Sequence, residues 1–404
     1  MLRILLITKS FSKGGSASGA TALATALDKA GNEVICFDAR AGKHRGIAGA
    51  ARVTERLLER TFFDAETHCL KLAAASFDLK QLEFEYRPDI IQLCDISGNV
   101  ISFDDLEGIS CPVVHRMSDC WPYNGPRHYA TRDSEGLALG RWLWRTTILR
   151  ATHRPHLLVA PSKWLADTLD ASWNYDGHIR IVLNAVALPR LVERDRRNTG
   201  ALRFGFISNQ VMDPRKGFHR LFPFLLAAKG AGLKPQLDVF GQLPRRRPRL
   251  PSAIETRFHG AFSRPQLKEV FDLFDVLLCP SRTDNSPNVV CEAFAHQVPA
   301  IGQTGTGMES YIAENRGALV DFWSDDKIWK ERFIDHCIRI VSNYAFHTTQ
   351  ARTFAETRLS PIAIGQAYTI LYKQMIETLR ASPPPTRVVA NRKSAKALRN
   401  PSDC

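Results

Sequence analysis

The sequence contains no apolar run of the roughly 18 residues that a membrane-spanning helix requires. Its nine cysteines form no C-x-x-C pair and repeat at no fixed spacing, which argues against a disulfide framework and for a reducing, cytoplasmic compartment. Cys36, Cys94 and Cys279 sit in apolar strand-like runs and are expected to be buried small hydrophobes. No small-residue cleavage site follows the short apolar run in MLRILLITKSFSKGG, so it reads as a first strand rather than a signal peptide. No internal repeat of fixed period occurs. No nucleic-acid module or aromatic-interleaved basic strand is present, although the 404 residues carry a formal charge of +13. That charge calls for an anionic partner: nucleic acid, a membrane surface or a phosphorylated small molecule.

What is present is a globular composition, 44% hydrophobic and 24% charged, in a chain long enough for two domains. Short apolar runs alternate with amphipathic segments. LRILLIT, EVICFDA, PDIIQLCD, CPVVHRM, HLLVAPS and IRIVLNAV read as buried parallel strands. Between them lie helical patterns such as GATALATALDKAGN, closed by Gly31-Asn32. A polar, highly charged stretch, residues 188–203, interrupts the pattern. It then restarts with RFGFISN, LDVFGQ, TRFHGAF, VLLCPS, PAIGQTG and GALVDFW, with helices expected over FHRLFPFLLAAKGAG, RPQLKEVFDLFD, NVVCEAFAHQ and GMESYIAENR. The alternation predicts an α/β fold of two doubly wound Rossmann-like domains, residues 1–190 and 200–362, facing across a cleft. Residues 363–381 are expected to form a helix crossing back to the first domain, and 382–404 a basic, disordered tail.

The glycine-rich KGGSASGAT, Lys13 to Thr21, has the Gly14–Gly19 spacing of a phosphate-gripping P-loop. Ala20 stands where that loop needs lysine, and Gly15 follows Gly14 directly, which breaks the dinucleotide pattern. A loop opening a helix at a strand's carboxyl end remains, either a plain turn or one whose Gly15 amide approaches substrate closely.

In PSRTDNSPNVVCEAFA, Asp284 and Glu292 have seven residues between them. Ser286-Pro287 fits a helix start, with Ser286 as N-cap and Pro287 in the first helical position. The unpaired amides of that helix end would hold an anion near Asn288. Asp284 precedes this end, and Glu292 lies about one and a half turns into the helix. The pair could reach different parts of one extended ligand such as a nucleotide sugar. In DPRKGF, Lys216 stands before an apolar helix, where it could neutralise a diphosphate; Arg215 beside it is a weaker candidate.

With these stretches the sequence resembles retaining glycosyltransferases of family four, which have the GT-B fold. KGGSASGATALATALDKAGNEV is similar to the family's amino-terminal loop and helix, LLVAPSKWLADTL and IRIVLNAVAL to late strands of its first domain, and DPRKGF to its donor-phosphate loop. FDVLLCPSRTDNSPNVVCEAFAHQVPAIGQTGTGMESYI is similar to its signature, in which the acids, Pro280-Ser281, Glu292-Ala293, Pro299 and Gly307 agree in register. VVHRMSDCWPYNGPRHYA is similar to a subgroup associated with bacterial exopolysaccharide such as colanic acid. The resemblance implies that Glu292 binds the donor ribose, Lys216 the diphosphate, and Asp284 the transferred sugar. Donor contacts are further expected from Arg215, Ser286, Asn288, Gly15 and Ser208. Family members usually need no metal, and no Asp-x-Asp motif is present, so no metal or other cofactor is expected.

The chain departs from the family in several places. The first acid is Asp284 rather than Glu, Gln297 replaces a glycine, and the donor-site arginine that family members commonly carry ahead of the phosphate lysine has no clear counterpart, Ser208 and Asn209 falling near its place. Ser118-Asp119 stands where many members carry His-Asp. His115 is expected in a strand core, leaving Asp119 as the first-domain site candidate, with Ser118 and Asn124 near the acceptor and Trp121 stacking on a sugar face. The basic PRRRPRL, Pro244 to Leu250, suits a solvated loop or an anionic membrane. RWLWRTTILR, Arg141 to Arg150, suits an interfacial or a core-facing helix. The expected partners are therefore a nucleotide sugar and a lipid-linked or oligosaccharide acceptor, at a cytoplasmic or peripheral-membrane location. The other readings are a GT-B nucleotide-sugar epimerase or phosphorylase, and a GT-B nucleotide-sugar-binding protein with weakened catalysis.

Overall fold

The computed structural model describes residues 1–12, 14–40, 77–97, 100–101, 103–128, 138–148, 155–170, 178–190, 201–244 and 248–381, with 53–54, 56–58 and 61. Arg245–Arg247, the charged linker 191–200, Lys13, residues 149–150 and the basic tail from Ser382 lie outside the described residues.

Two six-stranded, wholly parallel sheets organise the chain. The first contains β1 (Arg3–Thr8), β2 (Glu33–Asp38), β3 (Ile90–Leu93), β4 (Val113–Arg116), β5 (Leu157–Ala160) and β6 (His178–Ile181), in the order β2-β1-β3-β4-β5-β6. The second contains β7 (Leu202–Gln210), β8 (Pro235–Gln242), β9 (Glu255–Gly260), β10 (Val276–Cys279), β11 (Ala300–Gln303) and β12 (Gly317–Val320), in the order β12-β11-β10-β7-β8-β9. The central strands are apolar on both faces because helices cover both, which is why they read as continuous apolar runs. The edge strands differ. β2 is mostly half-buried and β6 largely exposed, so EVICFDA and IRIVLNAV are not buried strands throughout, and Cys36 is exposed while Cys94 and Cys279 are buried.

Around the first sheet lie α1 (Gly15–Lys29), α2 (Leu79–Tyr86), α3 (Ala138–Thr147) and α4 (Lys163–Asp170). In α3 the two tryptophans part: Trp144 is buried, its Nε1 donating to the Pro122 carbonyl at 2.9 Å, and Trp142 is exposed. Around the second sheet lie α5 (Leu221–Gly230), α6 (Leu267–Asp272), α7 (Asn288–Ala295), α8 (Lys327–Ser342) and α9 (Tyr344–Phe354). The helix expected over GMESYIAENR is only a single 3-10 turn, Gly307–Ser310. Thr306 caps that turn by accepting from Met308 N, and the chain leaves it to bury Tyr311 and Ile312.

The last helix, α10 (Pro361–Ala381), returns to the first sheet and packs along α1. Its Ile364, Tyr368 and Tyr372 complete a core with Ile4, Leu6, Leu23 and Val114. The Tyr372 hydroxyl donates to Gln92 Oε1 at 2.6 Å.

Candidate active site

The carboxyl ends of both sheets meet at a cleft of about 620 Å³. On the second-sheet side, the pairing of β7 with β8 becomes irregular between Ile207 and Gln210. Ser208 is buried there, its hydroxyl donating to the Gln210 carbonyl at 2.8 Å. Asp213 then caps the short turn Pro214–Lys216 by accepting from Arg215 N at 2.9 Å. Gly217 follows at φ 73°, and a Cβ there would come within 2.5 Å of the Pro280 carbonyl oxygen. Only glycine allows this close, left-handed approach, which lays the Lys216 loop against the loop after β10. Arg282 N donates to the Arg215 carbonyl at 2.8 Å, and Arg215 Nη1 to the Thr283 carbonyl at 3.1 Å. Lys216 Nζ thereby meets Asp284 Oδ2 at 2.7 Å, with Asp284 almost wholly buried.

The helix start differs from the expected one in register. Pro287 is the N-cap, Asn288 is the first helical residue, and no side chain caps the amides. Ser286 is drawn elsewhere. It accepts from Asn184 Nδ2 at 2.7 Å and lies 2.5 Å from the Tyr311 hydroxyl, buried partners that an N-cap serine would forgo. The proline after it also disfavours helical geometry at Ser286. The helix closes in a Schellman motif: Val298 N donates to the Ala293 carbonyl at 2.8 Å and Gln297 N to Phe294 at 3.1 Å, with Gln297 at φ 61°. Glu292, one turn in, lies 3.3 Å from Arg264. Burial raises its carboxyl pKa and Arg264 draws it partly back.

Across the cleft, α1 presents Gly15, whose carbonyl accepts from Asn288 Nδ2 at 3.2 Å. Ser16 donates to Asp95 at 2.9 Å, and Lys9 Nζ to the Ser97 hydroxyl at 2.9 Å. Burial would raise the Asp95 carboxyl, but Lys9 and the hydrogen bonds from Ser97 and Ser16 hold it below its ordinary range. The Ser118 carbonyl accepts from Asn285 Nδ2 of the other half. Asp119 takes His128 Nδ1 at 2.7 Å on one oxygen and Trp121 N at 2.9 Å on the other. Burial works against the imidazolium of His128, yet Asp119 pushes its pKa above the ordinary value.

The cleft brings together Gly15, Ser118, Asp119, Ser208, Arg215, Lys216, Asp284, Ser286, Asn288 and Glu292 among the residues expected there. Trp121 is not among them. Its N–H turns to Asp119 while its ring enters the first-sheet core, 5% exposed, so no sugar can stack on it. Asn124 lies outside the cleft lining, its N–H donating to the Cys120 carbonyl at 3.0 Å. His115 is buried, between the Tyr123 hydroxyl at 3.2 Å and the Cys94 carbonyl at 3.0 Å. Sequence reasoning missed Lys9, Asp95, Arg116, His128, Asn184 and Arg264, all on the cleft wall. For His128 a signal existed, since it lies inside the quoted YNGPRHYA. Among the described residues, no group of three or more His, Cys, Asp or Glu is placed to hold a metal ion, and no helix is long and apolar enough to cross a membrane.

Comparison with known proteins decides the class. Residues 13–190 match the model of Glycosyltransferase Family 4, and residues 202–343 match that of Glycosyl transferases group 1. The chain is a glycosyltransferase of the family 4, GT-B type. No curated protein sequence matches this glycosyltransferase. Sucrose-phosphate synthase from Thermosynechococcus elongatus is 16% identical with a TM-score of 0.62, over 93% of this chain and 100% of that one. The lipopolysaccharide outer core galactosyltransferase WaaB is 14% identical with a TM-score of 0.60, over 92% and 99%. HepE of Anabaena, in complex with UDP and glucose, is 15% identical with a TM-score of 0.55, over 95% and 100%. At these identities the likeness is one of fold: the glycosyltransferase has the two facing Rossmann-like halves of GT-B enzymes.

Proposed function

We propose that this glycosyltransferase moves a hexose from a nucleotide-diphosphate sugar to a lipid-linked or oligosaccharide acceptor, with retained anomeric configuration and without a metal. The observation that carries the reading is the Lys216–Asp284 pair at 2.7 Å beside the uncapped start of α7, with Glu292 on the same helix. The diphosphate takes the Lys216 ammonium from Asp284 and lies against the α7 amides, which favour anions. Asp284 is then free to accept from hydroxyls of the sugar, and Glu292 from those of the ribose. The anomeric carbon–oxygen bond breaks with its electron pair leaving on the phosphate. The acceptor oxygen bonds to that carbon from the same face, and its proton passes to the diphosphate. Lys216 and the helix end stabilise the departing charge where it develops. The GT-B complex of HepE with UDP and glucose supports a nucleotide sugar as donor. Synthesis of bacterial surface polysaccharide at the inner face of the membrane fits the net charge of +13 and the exposed Trp142.

The test pairs binding with turnover. In a thermal-shift panel of nucleoside diphosphates and nucleotide sugars, one base should stabilise the protein well above the others. Lys216→Ala is expected to weaken that ligand by roughly 10–100-fold, and Asp284→Ala to slow transfer at least about 100-fold, both with unchanged circular dichroism. Turnover of nucleotide sugar without acceptor, or consumption of inorganic phosphate, would assign an epimerase or a phosphorylase instead. Equal shifts for UDP, GDP and ADP would remove the support for a cognate donor.

A further inference from the structure

Arg116 ends β4 with only 5% of its surface exposed. It makes no ion pair among the described residues. Its Nη2 donates to Asn184 Oδ1 at 2.5 Å, its Nη1 has no hydrogen-bond partner, and the side chain lines the cleft. Arginine does not lose its proton in proteins, so the charge is permanent. A buried cation with no counter-charge is unfavourable unless an anion completes the site.

Asp95, which accepts from Ser16 in the first turn of α1, is the nearby acid, and Lys9 offsets its charge; the other surroundings add positive potential. The guanidinium lies over Gly19 of α1, where a Cβ would come within 2.6 Å of Nη2. α1 is 15 residues long, its N-cap Gly14 supplies no side chain, and its first turn holds no acid. α7 also starts with no side-chain cap and no acid in its first turn. The bond from Asn288 to the Gly15 carbonyl sets the two helix starts beside each other. Asn184 joins the parts, accepting from Arg116 while its Nδ2 donates to Ser286 at 2.7 Å. Each helix start carries about half a positive charge. Two of them and one guanidinium thus border the same cleft, drawn from both halves of the chain.

We propose that Arg116 binds the diphosphate of the nucleotide sugar from the first half of the chain, facing Lys216 of the second. The proposal rests on the donor reading above and adds a residue and a condition to it. Arg116 and Lys216 can share one diphosphate only while the two halves are together, so the leaving group is fully neutralised only in the closed cleft. A diphosphate could equally belong to a lipid-linked acceptor. The donor is favoured because Lys216 and the α7 start belong to the same cleft.

The experiment compares the wild type with Arg116→Gln and Arg116→Lys. Calorimetry measures binding of UDP, GDP and ADP, of their nucleosides, and of geranyl diphosphate as a soluble lipid diphosphate. The melting temperature of each free protein is recorded alongside. The nucleoside diphosphate that binds wild type should bind R116Q about 10–100-fold more weakly, with nucleoside binding unchanged and R116K in between. The free R116Q protein should melt at or above wild type, because an unpaired buried charge has gone. Should R116Q fail to fold, R116K carries the test, its expected result a smaller loss confined to diphosphates. Unchanged diphosphate affinity in a folded variant overturns the proposal, as does a loss confined to geranyl diphosphate. A wild type that binds none of the three nucleoside diphosphates overturns the donor reading itself, an outcome distinct from an unaffected variant.

Discussion

Lys216 reaches its place through a chain of local causes: a capped turn, a glycine no other residue can replace, and backbone bonds to the neighbouring loop. His115, two strands from the edge of the first sheet, has a different kind of constraint. Burial lowers its imidazole from 6.5 to about 4. Between those values the unfolded chain binds a proton that the folded chain refuses, so stability is complete above about pH 6.5 and falls as pH drops toward 4. The full span corresponds to about 3 kcal/mol. His128 runs the other way, its raised folded value giving stability that is present in acid and lost as pH rises through it. Urea midpoints measured from pH 7 to pH 4 are therefore expected to fall, and His115→Gln to flatten that decline; an unchanged slope would contradict the assignment. Much of the cleft was legible at this scale. Asp284, Ser286 and Glu292 lie in one stretch, and Lys216 and Gly15 each follow a readable strand. Arg116 and Asn184 were not legible, because the partner of Arg116 comes from the loop after β6 and that of Asn184 from the opposite half. Trp121 was misread because an aromatic beside polar residues looks the same in sequence whether its ring faces a ligand or a core.

Among the elements, α7 has the most constrained ends. Its exit is left-handed at Gln297, a conformation that disfavours any side chain, and the glycine expected at this place from the family pattern is absent. Gln297→Gly is expected to stabilise the protein by about 0.5–1 kcal/mol, after the extra chain entropy of glycine offsets part of the relieved strain. A urea midpoint at or below wild type would count against it. The Schellman bonds of Val298 and Gln297 would be retained, so the orientation of Glu292 should not change. The β-α alternation was readable because buried parallel strands carry an apolar signature stronger than any local turn. It overreached at β2 and β6, where edge position leaves side chains partly in solvent. It also overreached at GMESYIAENR, where the burial of Tyr311 and Ile312 ends the helix after one turn.

The two halves are joined by a buried polar seam centred on Tyr311. Its hydroxyl donates to the Pro161 carbonyl at 2.6 Å, lies near Ser286, and accepts from Asn184 N at 3.3 Å. Tyr311→Phe leaves these groups short of a partner and is expected to cost about 1–3 kcal/mol, seen as a lower urea midpoint. The seam also fixes Asn184, so donor affinity should weaken with it; a variant as stable and as tight-binding as wild type would show the seam to be incidental. No local pattern announces such a seam, since Pro161, Asn184, Ser286 and Tyr311 are far apart in the chain. The return of α10 onto α1 has a consequence in time. A ribosome adding about 5–20 residues per second completes β6 at Ile181 and reaches Pro361 some 180 residues later, on the order of 10–40 s. Throughout that interval the α1 face that Ile364, Tyr368 and Tyr372 will cover is open to water. The half of the protein made first is thus the half finished last, and the nascent chain needs protection at α1 until α10 arrives.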